Sequence, residues 1–345
     1  MALDRHMQRL WYERRPVWLL ILLLPLSMLF ALVVAVRRAA YRVGVFRSIR
    51  VPCPVVVTGN ITVGGTGKTP LVIWLADLLQ SQGRRVGIVL RGYGGESRQW
   101  PRQVLAETPS SEVGDEAVLL ATRTAAVVVA GPDRVAAALH AIGLGADVLL
   151  SDDGLQHYRL ARDFEIAVMD EYRGLGNGWL LPAGPLREPA SRLRAVDLIA
   201  TTRRSNPQSG HEAAAAPNRI TVRAHLQHAV SLATGEVRAL ESFRSGAVHA
   251  IAGIGNPGAF FAALEQAGLR VDARALPDHA ILTAADITFA DDSPVLMTEK
   301  DAVKCRGFAD ARHWAVRLHT DIDAADTAKV SALLERVLRS AAEKR

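Results

Sequence analysis

Residues 17–36, VWLLILLLPLSMLFALVVAV, hold no charged side chain, and beyond Cys53 the chain changes to short apolar runs separated by helical patterns. The first stretch has the length a helix needs to cross ~30 Å of hydrocarbon. Arg14 and Arg15 precede it, and Arg37, Arg38, Arg42, Arg47 and Arg50 follow it. A cleaved signal peptide fits poorly, because the run exceeds an ordinary h-region and leaves through arginines rather than small residues. A buried core helix is the other reading, and Pro25 permits a kink or a helical hairpin. Arginines on both flanks leave the topology open, with a modest preference for a cytoplasmic C-terminal flank.

After Cys53, apolar runs at 54–57, 86–90, 125–130, 148–150, 164–169 and 197–201 alternate with helices ending near Gln82 and spanning 115–123 and 133–141. Strands that read as continuous apolar runs, separated by helices, predict a mostly parallel α/β sheet covered on both faces. Residues 203–218, RRSNPQSGHEAAAAPN, lose the pattern and read as a linker. A smaller α/β unit is expected beyond it, with strands at 248–252, 295–297 and 314–318, helices at 257–267 and near Ala302, and an amphipathic helix at 324–339 that suits either unit. The expected organisation is an anchoring and basic segment at 1–50, a core at 51–204, a linker at 205–219 and a second α/β unit at 220–345.

Composition adds a few bounds. With 345 residues and 49% hydrophobic content, the chain has core material for two ordinary domains. A net charge of +6 and a pI near 9.7 suit an acidic partner, and arginines gathered beside the apolar run favour lipid. Aromatic residues are only 6%, so nucleic acid is not expected as a partner. Cys53 and Cys305 have neither metal-ligand spacing nor the number for a disulfide framework, and read as inert thiols.

The chemistry concentrates at Thr62-Val63-Gly64-Gly65-Thr66-Gly67-Lys68-Thr69, between an apolar strand and a helix beginning near Pro70. Glycines let backbone N–H groups converge on phosphate oxygens, the helix N-terminus adds positive potential, Lys68 reaches the β- and γ-phosphates, and Thr69 offers a hydroxyl to Mg²⁺. The usual first glycine of such a loop is Thr62 here. Asp152 and Asp153 end the apolar strand at 148–150 and have the form of Walker B acids, with a turn-capping role for Asp153 as the plainer reading. Asp115 and Glu116 open a helix and read equally well as first-turn carboxylates. Arg91 leads RGYGG at a strand's C-terminal edge, where ligands of open α/β sheets bind. Loops at 156–157, 277–279 and 298–301 have plain readings as turns and caps.

Taken together, GNITVGGTGKTP, RGYGG, GDE, GPDR, DDGLQH, GNGWLLPAGPLREP, AGIGNP, DH and MTEKDAVKC occur in an order that closely resembles the tetraacyldisaccharide 4′-kinases, the lipid A 4′-kinases of Gram-negative bacteria. PAGPLREP and TEKDAVK are the most specific stretches, and the resemblance covers nearly the whole chain. It implies a P-loop kinase fold with a membrane anchor at the inner face of the inner membrane. It also implies transfer of the ATP γ-phosphate to the 4′-hydroxyl of a tetraacylated glucosamine disaccharide 1-phosphate, with Mg²⁺. By motif, Lys68 and Thr69 hold nucleotide and metal, Asp152 and Asp153 are Walker B acids, and Asp115 is the catalytic base with His279 as its partner. Arg187 and Glu188 become metal or phosphate contacts, and Arg91, Glu116 and Arg134 substrate or phosphate contacts. Leu155 and Tyr158 depart from the residues common in the family. The rival classes are a chromosome-partitioning switch ATPase, whose signature loop lysine is Val63 here, and a GTPase, whose guanine-reading motif is not matched by Thr298-Glu299-Lys300-Asp301.

Overall fold

The computed structural model describes residues 7–13, 17–204, 218–278 and 280–343. Arg14, Arg15, His279 and residues 205–217 of the expected linker lie outside the described residues. The apolar run forms helix α1 (Val17–Arg42), with Pro25 inside it. The five-residue runs β1 (Val55–Gly59) and β2 (Val86–Leu90) are buried at every position, as strands covered on both faces must be.

Between them α2 (Lys68–Ser81) turns Leu71, Val72, Leu75, Ala76 and Leu79 onto the sheet. The short edge strand β3 (Arg102–Val104) and one helical turn, α3 (Ser110–Val113), lead to α4 (Asp115–Arg123). Then follow β4 (Val127–Ala130), α5 (Arg134–Gly143), β5 (Val148–Ser151), β6 (Phe164–Asp170) and β7 (Leu198–Arg204). Helix α5 is capped by the Asp133 carboxylate, which accepts from the N–H groups of Val135 and Ala136.

The second part of the chain begins with β8 (Arg219–Ser231), a 13-residue strand for which the sequence reading had no element. Its alternation of Arg, His and Gln with smaller apolar residues dilutes the signal of a buried strand. Beyond it come β9 (Val237–Ala239), β10 (Ala247–Ala252), α6 (Pro257–Gln266), β11 (Arg270–Ala275) and α7 (Ala284–Ile287). The chain closes with β12 (Val295–Thr298), α8 (Glu299–Cys305), β13 (His313–Asp321) and α9 (Ala324–Glu343).

All of these strands join one sheet in the order β11-β10-β12-β13-β8-β7-β6-β1-β5-β2-β4-β3, with β9 beside β8. Pairing is parallel except at β13/β8, β8/β9 and β3/β4. Strands β7 and β8, which flank residues 205–217, are parallel neighbours, so the sheet continues from one part of the chain into the other. Helix α9 returns to the first part: Val330, Leu334 and Leu338 share a core with Leu71, Leu75 and Ile220, and Gln82 Nε2 donates to Ser331 Oγ at 2.8 Å.

Candidate active site

Helix α2 starts on Gly67, whose φ of 84° is left-handed and whose position offers no side-chain cap to the helix N-terminus. The first N–H groups of α2 are therefore available to an anion. A side chain at residue 67 would also meet Thr202 Cγ2 at 2.9 Å, so glycine is needed both for conformation and for space. Thr202 Oγ1 donates to Thr66 O at 2.9 Å, and Asn60 Nδ2 donates to Gly64 O and to Thr66 Oγ1, each at 3.2 Å. These two polar side chains set the loop from β7 and from the end of β1, and sequence reasoning missed both.

The loop tolerates Thr62 because its first half is paired like a strand. Thr62 bridges Leu186, Val63 N–H donates to Pro185 O at 2.8 Å, and Arg187 N–H donates to Ile61 O at 2.7 Å. The PAGPLREP segment thus carries the conformation that a glycine would otherwise allow. Lys68 and the buried Thr69 follow at the first turn of α2.

Asp152 and Asp153 end β5 beside this loop. Asp153 takes a left-handed φ of 48°, which Asp tolerates better than most residues. Its Oδ1 lies 3.5 Å from Lys68 Nζ, and its Oδ2 lies 3.1 Å from Arg187 Nη1. Although burial raises it, Lys68 and Arg187 outweigh that and hold the Asp153 carboxyl below the usual range. Asp152 is 2% exposed and pushed up to about 7, first by burial and then by the carboxylate of Glu116, with Lys68 opposing and Asp153 adding. Arg134, at the start of α5, is buried and donates to Gly131 O at 3.0 Å and to Asp152 O at 3.3 Å, while its Nε meets no partner. Burial pulls Arg134 down to about 10, against the pull of Asp152 and Asp153. Arg91 is exposed and adds positive potential to Arg134 and His157; burial and Arg134 drive His157 down to about 4.

The GDE helix packs against the RGYGG turn. Gly114 has φ 88°, and a Cβ there would collide with Tyr93 O, so glycine is required for the close approach. Asp115 is the first residue of α4, behind the N-cap Gly114, so Asp115 and Glu116 both stand in the first turn of the helix, as the plain reading has them. Its Oδ2 lies 3.2 Å from Lys304 Nζ. Glu116 pairs with Lys300. Burial raises Glu116, but Lys300 and Lys68 together hold it below its ordinary value. Lys300 and Lys304 both belong to TEKDAVK, a stretch specific by sequence but with no role assigned to either lysine. The structure thus gathers Lys68, Asp152, Asp153, Arg187, Arg134 and Glu116 into one electrostatic neighbourhood, with Asp115 beside Glu116 on α4. His279, the expected partner of Asp115, lies outside the described residues.

Glu188 faces elsewhere. Its side chain is 2% exposed; Tyr158 O–H donates to Oε1, and Gln156 Nε2 donates to Oε2 at 3.2 Å. Arg192 Nε stands 3.7 Å away and Arg38 Nε of α1 stands 3.9 Å away. Its contacts are with these residues rather than with Lys68, Asp152 or Asp153. Further contacts tie α1 to the core, with Ser27 Oγ donating to Leu180 O at 2.7 Å and Arg37 Nη2 to Gln156 O at 3.0 Å. Most of α1 remains uncovered: over its apolar 18-residue window the mean hydropathy is 3.0 and only 6% of that window is buried.

The donor set fits a nucleoside triphosphate with Mg²⁺. The uncapped N-terminus of α2 and Lys68 suit phosphate oxygens, and the crowded carboxylates of Asp152, Asp153 and Glu116 suit a cation beside them. No cluster of three or more His, Cys, Asp and Glu capable of holding a metal occurs among the described residues. Mg²⁺ characteristically takes one or two carboxylates and completes its shell with phosphate and water.

A family model described as Tetraacyldisaccharide-1-P 4′-kinase matches residues 19–339. A tetraacyldisaccharide 4′-kinase of Alkalilimnicola ehrlichii is 48% identical over 95% of this chain and 96% of its own length. The enzyme of that name from Pseudomonas aeruginosa is 43% identical over 98% of this chain and 99% of its own. The crystal structure of LpxK from Aquifex aeolicus in complex with ATP superposes with a TM-score of 0.79 at 29% identity, covering 93% of this chain and 99% of that one. With the phosphate loop, the acidic end of β5 and the GDE helix in the arrangement described, the chain belongs to the tetraacyldisaccharide-1-phosphate 4′-kinase family.

Proposed function

We propose that this chain transfers the γ-phosphate of ATP to the 4′-hydroxyl of a tetraacylated glucosamine disaccharide 1-phosphate, the acceptor named by its family. The observation that carries the reading is Lys68, whose Nζ is 3.5 Å from Asp153 at the uncapped N-terminus of α2. In phosphoryl transfer the protein mainly positions the reactants and neutralises charge. Lys68 would meet the charge that builds between the β- and γ-phosphates, and Arg187 and Arg91 would meet further phosphate oxygens. Thr69 and Asp152, with Asp153 beside them, would hold Mg²⁺, which would supply positive charge against the phosphates. Asp115 is the proposed base: it accepts the proton of the sugar hydroxyl as the new O–P bond forms and the bond to the β-phosphate oxygen breaks. His279 would orient that carboxylate.

The same reading sets the chain on the inner membrane with its catalytic units on the cytoplasmic side. An uncovered apolar helix that ends in Arg37, Arg38 and Arg42 supports it, since such a helix seats in hydrocarbon while its arginines meet lipid phosphates. Purified protein incubated with γ-labelled ATP and the tetraacyldisaccharide 1-phosphate should yield a labelled lipid; nucleotide binding without transfer would sink the kinase reading. Removal of residues 1–38 should leave ATP binding intact and abolish flotation with anionic vesicles. A truncated protein that still floats would show that another surface does the anchoring.

A further inference from the structure

Lys300 and Lys304 stand four residues apart on one face of α8, and both reach across to α4 in the first part of the chain. Lys304 Nζ lies between two carboxylates, 3.2 Å from Asp115 Oδ2 and 3.4 Å from Asp301 Oδ1. Asp301 is wholly buried, and its Oδ2 accepts the Gly253 N–H at 2.9 Å and the Thr298 hydroxyl at 2.6 Å. Lys300 takes the carboxylate of Glu116. At the other end of α4, Glu299 pairs with Arg123, and Arg306 donates to Thr122 Oγ1 at 3.0 Å. The seam therefore follows α4 from its first residue to its last.

Two features separate this seam from an ordinary surface ion-pair row. The side chains of Lys304 and Asp115 are only 9% and 13% exposed, so the pair is shielded from water and its geometry is held. Its far end is anchored in backbone, because Asp301 is fixed by the Gly253 N–H at the end of β10. A carboxylate that takes a proton from a bound hydroxyl must be held to within a fraction of an ångström. A buried ammonium locked to a second, immobile carboxylate supplies that restraint.

We propose that Lys304 and Lys300 are positioning residues for the phosphoryl transfer, Lys304 setting the Asp115 carboxylate toward the acceptor hydroxyl and Lys300 holding Glu116 beside the Walker B acids. The proposal rests on the reading of Asp115 as the base. It makes the seating of α8 against α4 part of the catalytic geometry, through the path Gly253, Asp301, Lys304, Asp115.

The test uses the full chain with Lys304→Met, Lys304→Arg, Asp115→Asn and the Lys304→Met/Asp115→Asn double variant, each assayed for kcat, KM for ATP and thermal midpoint. Lys304→Met should lower kcat by about 10- to 100-fold with KM for ATP nearly unchanged, since the displaced group acts on the transition state. Lys304→Arg should recover part of the loss. In the Asp115→Asn background the Met substitution should add nothing. A kcat loss that multiplies in the double variant, or one that disappears when the assay is run far below the thermal midpoint, overturns the proposal. Wild-type turnover in Lys304→Met with a large loss in Asp115→Asn overturns the positioning role alone. Wild-type turnover in Asp115→Asn overturns the base assignment and the proposal with it.

Discussion

Arg187 and Glu188 are neighbours in sequence, yet they enter two opposite kinds of charge cluster. Arg187 joins Lys68 and Asp153 at the phosphate loop, where side chains are 15–38% exposed and Asp152 is pushed up to about 7 by burial and by Glu116. Glu188 enters a pocket where it is 2% exposed and meets Tyr158, Gln156, Arg192 and Arg38. The first cluster crowds the carboxylates of Asp152, Asp153 and Glu116 beside an uncapped helix end, and one of them, Asp152, is pushed up as a result. The second balances each carboxylate oxygen internally and joins α1 to the core. A buried ionic cluster signals a ligand site when it is left unsatisfied, and a structural tie when it is complete.

The largest effect expected from this contrast is at the phosphate loop. Lys68→Ala should lower phosphoryl transfer by about 10³-fold or more, because the lysine meets the charge that builds between the β- and γ-phosphates, while loss of its partly exposed pair with Asp153 should move the thermal midpoint little. A loss of activity that tracks a loss of stability would mean that the cluster is a structural tie after all. Asp115→Asn comes next, with an expected fall of about 10² in kcat and little change in ATP affinity measured by titration calorimetry. A change confined to KM for ATP would remove the base assignment.

How much of this was legible in the chain follows from which forces act locally. The apolar runs at 86–90 and 148–150 correspond to β2 and β5 nearly residue for residue, because strands buried on both faces must be apolar throughout. Strand β8 was not legible, since its burial alternates and its antiparallel partner β13 is far from it in sequence. The phosphate loop was readable from spacing, yet its dependence on residues 185–187 was not: only the fold reveals that Pro185 and Ile61 close a backbone pairing around Thr62. Lys300 and Lys304 were visible as letters of TEKDAVK, but their partners lie 184 and 189 positions away along the chain. No local signal carries a pairing of that kind.

The tie beneath α1 should respond differently. Glu188→Ala leaves Arg192 buried beside one carboxylate fewer, and breaking a buried pair in this way costs about 3 kcal/mol. The thermal midpoint should drop by roughly 5 °C or more. Turnover of the folded fraction at saturating Mg²⁺ should change far less than in Lys68→Ala. An unaltered midpoint with a raised Mg²⁺ requirement would return Glu188 to the role of metal ligand that the family resemblance implied, and would blur the line between the two clusters.

The smallest effect is the most diagnostic, because it asks whether the phosphate cluster is unbalanced in the ligand-free protein. Asp152 is pushed up to about 7 from the ordinary aspartate value of about 3.9, through burial first and the Glu116 carboxylate second. For a carboxyl raised on folding, the stabilising contribution is fully present below about pH 4 and is lost as pH rises through about 7. Above that, the fold must accommodate a charge it disfavours. Asp152→Asn cannot ionise and keeps an oxygen able to accept the Asp153 N–H that Asp152 Oδ1 takes at 2.9 Å. Its thermal midpoint relative to wild type should therefore rise by a few degrees between pH 5 and pH 8 and level off beyond, while phosphoryl transfer is lost. Glu116→Gln should shrink that pH-dependent gap from the other side, since it removes the carboxylate that raises Asp152. Melting curves taken without nucleotide or Mg²⁺ across the pH series read both effects. A gap independent of pH would mean that Asp152 ionises as easily as a surface aspartate, and the phosphate loop would then carry no stored charge imbalance for a ligand to relieve.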